Sequence, residues 1–375
     1  VTTADGRAAG AGPGGAASAA AGTGSTGGAS GGGAAGVSAS VSVSTRASTT
    51  VRASASVTVS TAGSGGGRPP GAVRLRVPAT SANLGPGFDA LGLALALYDE
   101  VSVRLTPSGL AIDVVGPDAV PADEAHLVVR AIRATFDELG WAQPGLALRC
   151  VNRIPHGRGL GSSAAAIVAG VTAADALAGG PLGPAGRLRV ASAVEGHPDN
   201  VAAALLGGLT IAWYEGDVPR SLRVAPLGEL RPVVFVPSRR QSTQQARGAL
   251  PERVPHADAA VNIGRAALLA LALSGAEPAA GTGAERSRLL LAATEDRMHQ
   301  PYRLPALPAS ADLVGRLRAA GIPAALSGSG PSVVALGVGG GQAAAAIGVA
   351  APGFSVVPLA VDTEGVRVEA VESSE

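Results

Sequence analysis

The chain has 375 residues, 46% of them hydrophobic and 15% charged, with a formal net charge of +1. That is enough apolar material for two ordinary domains, and a charge so near zero gives no reason to expect nucleic acid or an acidic membrane as partner. No stretch approaches the roughly 18 apolar residues of a membrane span, the first residues lack the basic start and apolar core of a secretory signal, and the single cysteine, Cys150, excludes an internal disulfide and points to the cytoplasm.

Residues 1–71 are almost wholly Ala, Gly, Ser, Thr and Val, with few charges and no aromatic residue. Such a segment cannot bury enough apolar area to offset its ordering entropy, so a disordered low-complexity tail is expected. The chain begins at Val1 and its one methionine is Met298, which fits a valine start codon or upstream sequence outside the real protein.

From Val73 the pattern becomes globular. Val73, Leu75 and Val77 alternate as a strand ending at Pro78, and Val101, Val103 and Leu105 mark a second. Residues 127–139 read as an amphipathic helix closed by Gly140, and 146–151 as a strand that holds Cys150 as apolar filler. After the loop 155–161, Ser162 or Ser163 is expected to cap a helix that stops at Gly179-Gly180-Pro181. A strand over 205–213 closes this half. Beyond a boundary near residue 228 come a strand at 233–236, helices at 261–274, 289–299 and 310–320, and a strand pair within 324–336. Strands and helices without strict alternation indicate an α+β class.

All 29 basic residues are arginine, which with the Ala, Gly, Pro and Val excess suggests a high-GC genome. It also excludes a Walker-A lysine, a Schiff base and a kinase strand lysine. A phosphate site here must use backbone amides, helix ends, hydroxyls, arginine and metal. The string Pro155-His156-Gly157-Arg158-Gly159-Leu160-Gly161-Ser162-Ser163-Ala164-Ala165 supplies the first three, because its glycines admit phosphate oxygens close to the backbone ahead of a helix N-terminus. A bare glycine turn would leave a plain serine-capped helix equally plausible; the whole string between strand and helix favours a nucleotide site.

This string resembles the second motif of the kinases named for galactose, homoserine, mevalonate and phosphomevalonate, the GHMP kinase family. Pro78-Ala79-Thr80-Ser81-Ala82-Asn83-Leu84-Gly85-Pro86-Gly87-Phe88-Asp89 is similar to the first motif in its homoserine-phosphorylating branch, and Ser327-Gly328-Ser329-Gly330-Pro331-Ser332 to the third. The resemblance runs from about residue 73 onward. It implies a two-domain fold: a ribosomal protein S5 domain 2-like ATP-binding domain (73–228) and a ferredoxin-like C-terminal domain (229–375). It also implies ATP and magnesium as cofactors, L-homoserine as acceptor and a homodimer.

Site roles follow from the same resemblance. Asn83 and Asp89 would hold the amino acid, although by residue type alone both could merely stabilise the turn around Gly85-Pro86-Gly87. Ser163 and Glu195 would bind magnesium, His197 would contact the acceptor, and Asn200 stands where some relatives carry a catalytic aspartate. Glu195, Asn200 and Ser163 are thus the catalytic candidates. The Glu195-to-His197 segment is shorter than in some members, and His197-Pro198-Asp199 could equally be a capped turn. Thr243 and Arg247 in Ser242-Thr243-Gln244-Gln245-Ala246-Arg247, and Arg303 in His299-Gln300-Pro301-Tyr302-Arg303, would complete the acceptor site. Guanidinium suits a carboxylate because its planar fork donates two parallel hydrogen bonds. His126-Leu127-Val128 resembles a segment near the base.

Overall fold

The structure, a computed structural model, describes residues 71–275 and 283–370; the expected tail lies outside them. The first half runs β1 (Ala72–Asn83), β2 (Gly87–Thr106), β3 (Leu110–Val115), α1 (Leu127–Glu138), β4 (Gly145–Val151), α2 (Ser162–Leu177), α3 (Gly183–Glu195), α4 (Asp199–Leu206), β5 (Leu209–Glu215) and β6 (Val218–Val224). The second runs β7 (Leu230–Pro237), α5 (Thr243–Gly248), α6 (His256–Leu273), α7 (Gly283–Ala293), α8 (Gln300–Arg303), α9 (Pro308–Ala319), β8 (Ala324–Leu326), β9 (Val333–Val338), α10 (Gly339–Gly348), β10 (Phe354–Pro358) and β11 (Arg367–Ala370).

A seven-stranded sheet has the order β11-β1-β2-β4-β3, with β5 joining β2 and β6 joining β5. Its buried side chains, Leu75, Val77, Leu93, Val101 and Val103 among them, share one core with Ile132 and Phe136 of α1 and Ile167, Val168 and Val171 of α2. The second sheet is antiparallel in the order β10-β7-β9-β8. That is the fourth-first-third-second order of a ferredoxin-like unit, as expected. Strand period two buries both faces of β7: Val234 joins the first core, while Val233 and Phe235 join a second with Leu313 and Leu317 of α9. β11 returns to pair with β1, and Val361 bridges to Leu95, so residues beyond 360 build onto the first half.

Several boundaries differ from the sequence reading. β1 does not end at Pro78: the register slips between Pro78 and Ala79, and this bulge absorbs the missing proline amide and carries the strand to Asn83. The strand expected over 205–213 begins only at Leu209, because Leu205 and Leu206 finish α4 and Gly207 and Gly208, both at positive φ, turn the chain. The helix expected over 289–299 is α7, ending at Ala293. Asp296 then accepts the amides of Met298, His299 and Gln300 and starts α8 instead. Neither Ser162 nor Ser163 caps α2; the N-cap is Gly161 at φ 66°, without a side-chain bond. The serine hydroxyls are therefore left for other work.

Candidate active site

The loop before α2 is tied down by its carbonyls. Gly157 O accepts from Gln241 N, Arg158 O from Ser332 N, Leu160 O from Thr80 N and Gly161 O from Ala165 N. Ser327 Oγ lies 2.6 Å from Gly159 O and 2.9 Å from Ser81 Oγ; since the carbonyl can only accept, the Ser327 proton goes to Gly159 and Ser81 supplies its own. The amides from Gly157 to Ser163 find no acceptor among the described residues. Backbone donors held rigidly in this way at a helix N-terminus form an anion cradle. A Cβ on Gly161 would stand 1.9 Å from Thr80 Oγ1, and one on Gly159 would stand 2.2 Å from Ser327 O. Both glycines also have positive φ, so no other residue fits without displacing the first or third motif.

Gly157, Gly159, Gly161, Ser162 and Ser163 line a cavity of about 190 Å³. Its far wall brings together Asn83, Asp89, Glu195, His197, Asn200, Arg247 and Arg303, residues spread over more than 200 positions. Ser163 Oγ donates to Glu195 Oε1 at 2.6 Å, which places the α3 C-terminus against the α2 N-terminus despite the short segment that follows Glu195. Burial pushes the Glu195 carboxyl above its usual range, against the Ser163 bond and the His197 charge. One carboxylate and one hydroxyl this close fit a hard divalent ion that takes its other ligands from water and phosphate. Among the described residues no group of three His, Cys, Asp or Glu could hold a metal alone.

Asp199, 1% exposed, opens α4. Its Oδ1 lies 2.6 Å from His197 Nδ1 and accepts from Asn200 N at 2.7 Å, so it orients both neighbours as well as starting a helix. Burial alone would depress the His197 imidazole, but the Asp199 bond and the Glu195 charge outweigh it and raise its pKa. Asn200 Oδ1 accepts from Thr80 Oγ1 at 2.8 Å, which leaves a neutral amide where a carboxylate base could have stood.

At the far wall the first motif bends sharply: Asn83, Leu84 and Asp89 all have φ between 51° and 65°. Such non-glycine strain is sustained only by surrounding bonds. Asn83 Nδ2 donates to Gly328 O and Asn83 Oδ1 accepts from Asp89 N, both at 2.9 Å, so this amide joins the first and third motifs while facing the cavity. Arg247 Nη1 and Nη2 donate to the two Asp89 oxygens at 3.2 and 2.9 Å. Arg303 is 2% exposed and makes no ion pair among the described residues. Its Nε donates to Ala246 O at 3.3 Å and its Nη1 lies 3.1 Å from His299 Nδ1. His299 Nε2 lies 2.8 Å from Gly85 O, which can only accept, so the proton sits on Nε2 and Nδ1 is free to accept from Arg303. Burial, with the Arg303 charge adding to it against Asp296, keeps this imidazole neutral. The Phe88 ring lies 5.4 Å from the Arg303 guanidinium and 6.0 Å from that of Arg247, a placement that favours cations.

A second cavity of about 310 Å³ shares Gly157, Ser162 and Ser163 with the first. His126, Leu127, Val128, Val101 and Pro121 make its walls largely apolar, and His156 borders it. His126 Nδ1 accepts from Val128 N and caps α1.

Other members of the loop string lie mostly outside both cavities. Leu160, Ala164 and Ala165 are buried in the core, although Ala165 also touches the second cavity. Pro155 borders an outer groove with Arg158. Arg158 is turned from the cradle: its guanidinium donates to Pro237 O, Ser238 O and Asp118. Burial alone would raise the Asp118 carboxyl, but the His156 amide and the Arg240 and Arg158 charges hold it low. Thr243 is the first residue of α5, whose side-chain cap comes from Ser242. Sequence reasoning missed Thr80, Ser81 and Ser327 as supports, although all three lie inside the quoted motifs. It also missed Gln241, whose amide fixes Gly157 and which carries no distinctive pattern.

Comparison with known proteins agrees with this geometry. Residues 126–208 match the family model of the GHMP kinases N-terminal domain, and residues 268–348 that of the GHMP kinases C-terminal. A homoserine kinase of Streptomyces avermitilis is 54% identical over 305 residues, covering 77% of this chain and 97% of the relative. One of Streptomyces coelicolor is 53% identical, covering 78% and 97%. The crystal structure of homoserine kinase from Cytophaga hutchinsonii superposes with a TM-score of 0.69 at 29% identity, covering 80% of this chain and 98% of that one.

Proposed function

Since this chain belongs to the GHMP kinase family, among its homoserine kinases, we propose that the cavity transfers the ATP γ-phosphoryl group to the hydroxyl of L-homoserine, giving O-phospho-L-homoserine for threonine synthesis. One observation carries the acceptor: a buried guanidinium, Arg303, with no ion-pair partner among the described residues, faces the cavity beside the Asp89–Arg247 pair. A buried cation without a counter-ion calls for an anion, and the neighbouring carboxylate suits an ammonium. A free α-amino acid supplies both.

The nucleoside occupies the apolar second cavity, and its triphosphate crosses Gly157–Ser163 into the first. The free loop amides and the α2 dipole hold the phosphates without a lysine. Magnesium, held by Ser163 and Glu195, supplies charge neutralisation on the phosphates when bound. Asn83, Asp89, His197, Arg247 and Arg303 orient the amino acid, with Thr243 beside them in sequence. Asn200, fixed by Thr80 and Asp199, directs the acceptor hydroxyl without removing its proton, which leaves to phosphate or solvent. Positioning and charge stabilisation then do most of the catalysis.

A coupled assay of ADP release with homoserine, mevalonate and shikimate tests the acceptor, because the latter two have a carboxylate and no α-ammonium. Turnover with only one of these would sink the reading, and no turnover at all would favour a silent metabolite-binding relative. Among the described residues no helix is long and apolar enough to cross a membrane; we place the enzyme in the cytoplasm with its ATP. We further propose a homodimer, checked by light scattering, with catalytic lobes at 73–228 and 229–375, the first completed by β11 from the second segment, and a dispensable segment 1–71.

A further inference from the structure

Asp89 and Arg247 occupy each other in this structure. Both Nη atoms of Arg247 are spent on both oxygens of Asp89, and this is the fork that would otherwise grip a ligand carboxylate. The pair is over a third exposed on each side, so opening it costs little. Asp89 is the fixed member, set by its positive φ and by the Asn83 bond to its backbone amide. Arg247 sits near the end of the six-residue α5. Arg303 stands beside the pair with Nε and Nη1 already bonded and no carboxylate partner among the described residues. The cavity therefore holds one closed fork, Arg247, and one cation with no carboxylate partner among the described residues, Arg303.

We propose that the Asp89–Arg247 pair is a charge lock that selects acceptors carrying both an ammonium and a carboxylate, and excludes hydroxy acids that lack the amino group. The inference rests on the acceptor reading above and extends it. A zwitterion opens the lock by exchange: its ammonium takes Asp89, and its carboxylate takes the released fork together with Arg303. One internal ion pair becomes two intermolecular contacts. A hydroxy acid must instead displace one carboxylate from Arg247 by another, leaves Asp89 without a cation, and keeps only Arg303. Asp89 thus acts twice, attracting the right acceptor and withholding Arg247 from the wrong one. A plain ammonium ligand has only the first role, and its loss would help an anionic ligand only by relieving repulsion that added salt screens, whereas release of the Arg247 fork is a direct contact that persists in salt.

The test compares homoserine with 4-hydroxybutyrate, which is homoserine without its amino group. Asp89→Asn removes the charge while keeping the backbone, since asparagine accepts positive φ readily. Its kcat/KM for homoserine should fall by about 100-fold and that for 4-hydroxybutyrate should rise about fivefold above the unsubstituted protein. Arg247→Gln opens the same pair from the other side and should lose activity on both compounds. A 4-hydroxybutyrate rate that is unchanged or lower in Asp89→Asn overturns the lock, as does an equal gain in Arg247→Gln, which would indicate a merely loosened cavity. Calorimetric titration with 4-hydroxybutyrate reads the lock without turnover: tighter binding by Asp89→Asn is expected, and equal or weaker binding overturns it. If the unsubstituted protein fails to phosphorylate homoserine, the acceptor reading alone falls, because that titration still decides the lock.

Discussion

The two ends of the cavity solve the problem of binding charge in opposite ways. The loop end, proposed for phosphate, is made of backbone: five consecutive carbonyls, from Gly157 to Gly161, are anchored while the amides find no acceptor among the described residues. The opposite end, proposed for the acceptor, is made of side chains, Asp89, Arg247 and Arg303 with His299 behind them, delivered by separate elements and held by ion pairing and hydrogen bonds. A backbone site tolerates changes of side chain but not the addition of an atom. A side-chain site tolerates small backbone changes but not the loss of a charge.

The largest effect should come from testing the first half of that contrast. Gly161→Ala puts a methyl against Thr80 at positive φ. It should lower kcat/KM for ATP and for homoserine alike by about 1,000-fold, the scale of losing preorganised donors; an effect on homoserine only would show that the loop is not the shared platform. The second half is sharpened by Arg303→Ala. Loss of a charged hydrogen-bond donor, about 1.5–3 kcal/mol, should raise the KM for homoserine by about 50-fold and leave the KM for ATP within about twofold. Equal rises in both constants would merge the two ends into one.

The smallest effect concerns His299, which supports Arg303. Its folded pKa lies below the ordinary 6.5 because it is buried. As pH falls below about 6.5 the unfolded chain takes up the proton first, so stability present at neutral pH is lost on acidification. Urea unfolding at about pH 7.5 and 5 should show a steeper loss for the unsubstituted protein than for His299→Gln. Equal losses would assign the acid sensitivity to other groups.

The same contrast decides how much was legible in the sequence. The cradle could be read because its function is local: strand, glycines and helix follow one another within residues 145–177. The ferredoxin-like sheet followed from the resemblance, since its strands are short and its helices were partly misplaced around 295–299. Asp199 could not be read, because a turn-forming aspartate looks the same whether or not a histidine lies 2.6 Å away. Nor could the Asp89–Arg247 pair, which joins residues 158 positions apart. The serine cap failed for a definite reason: the helix required positive φ at its N-cap, and only Gly161 could supply it.

The β11 pairing bears on how the protein is made. Residues 367–370 pair with residues 73–76, so the first sheet gains its border strand only after residue 370 has left the ribosome. Vectorial synthesis, in which early domains fold first, therefore cannot finish the first half ahead of the second. Until those residues emerge, β1 keeps a row of unsatisfied peptide groups, a template for pairing with a neighbouring nascent chain.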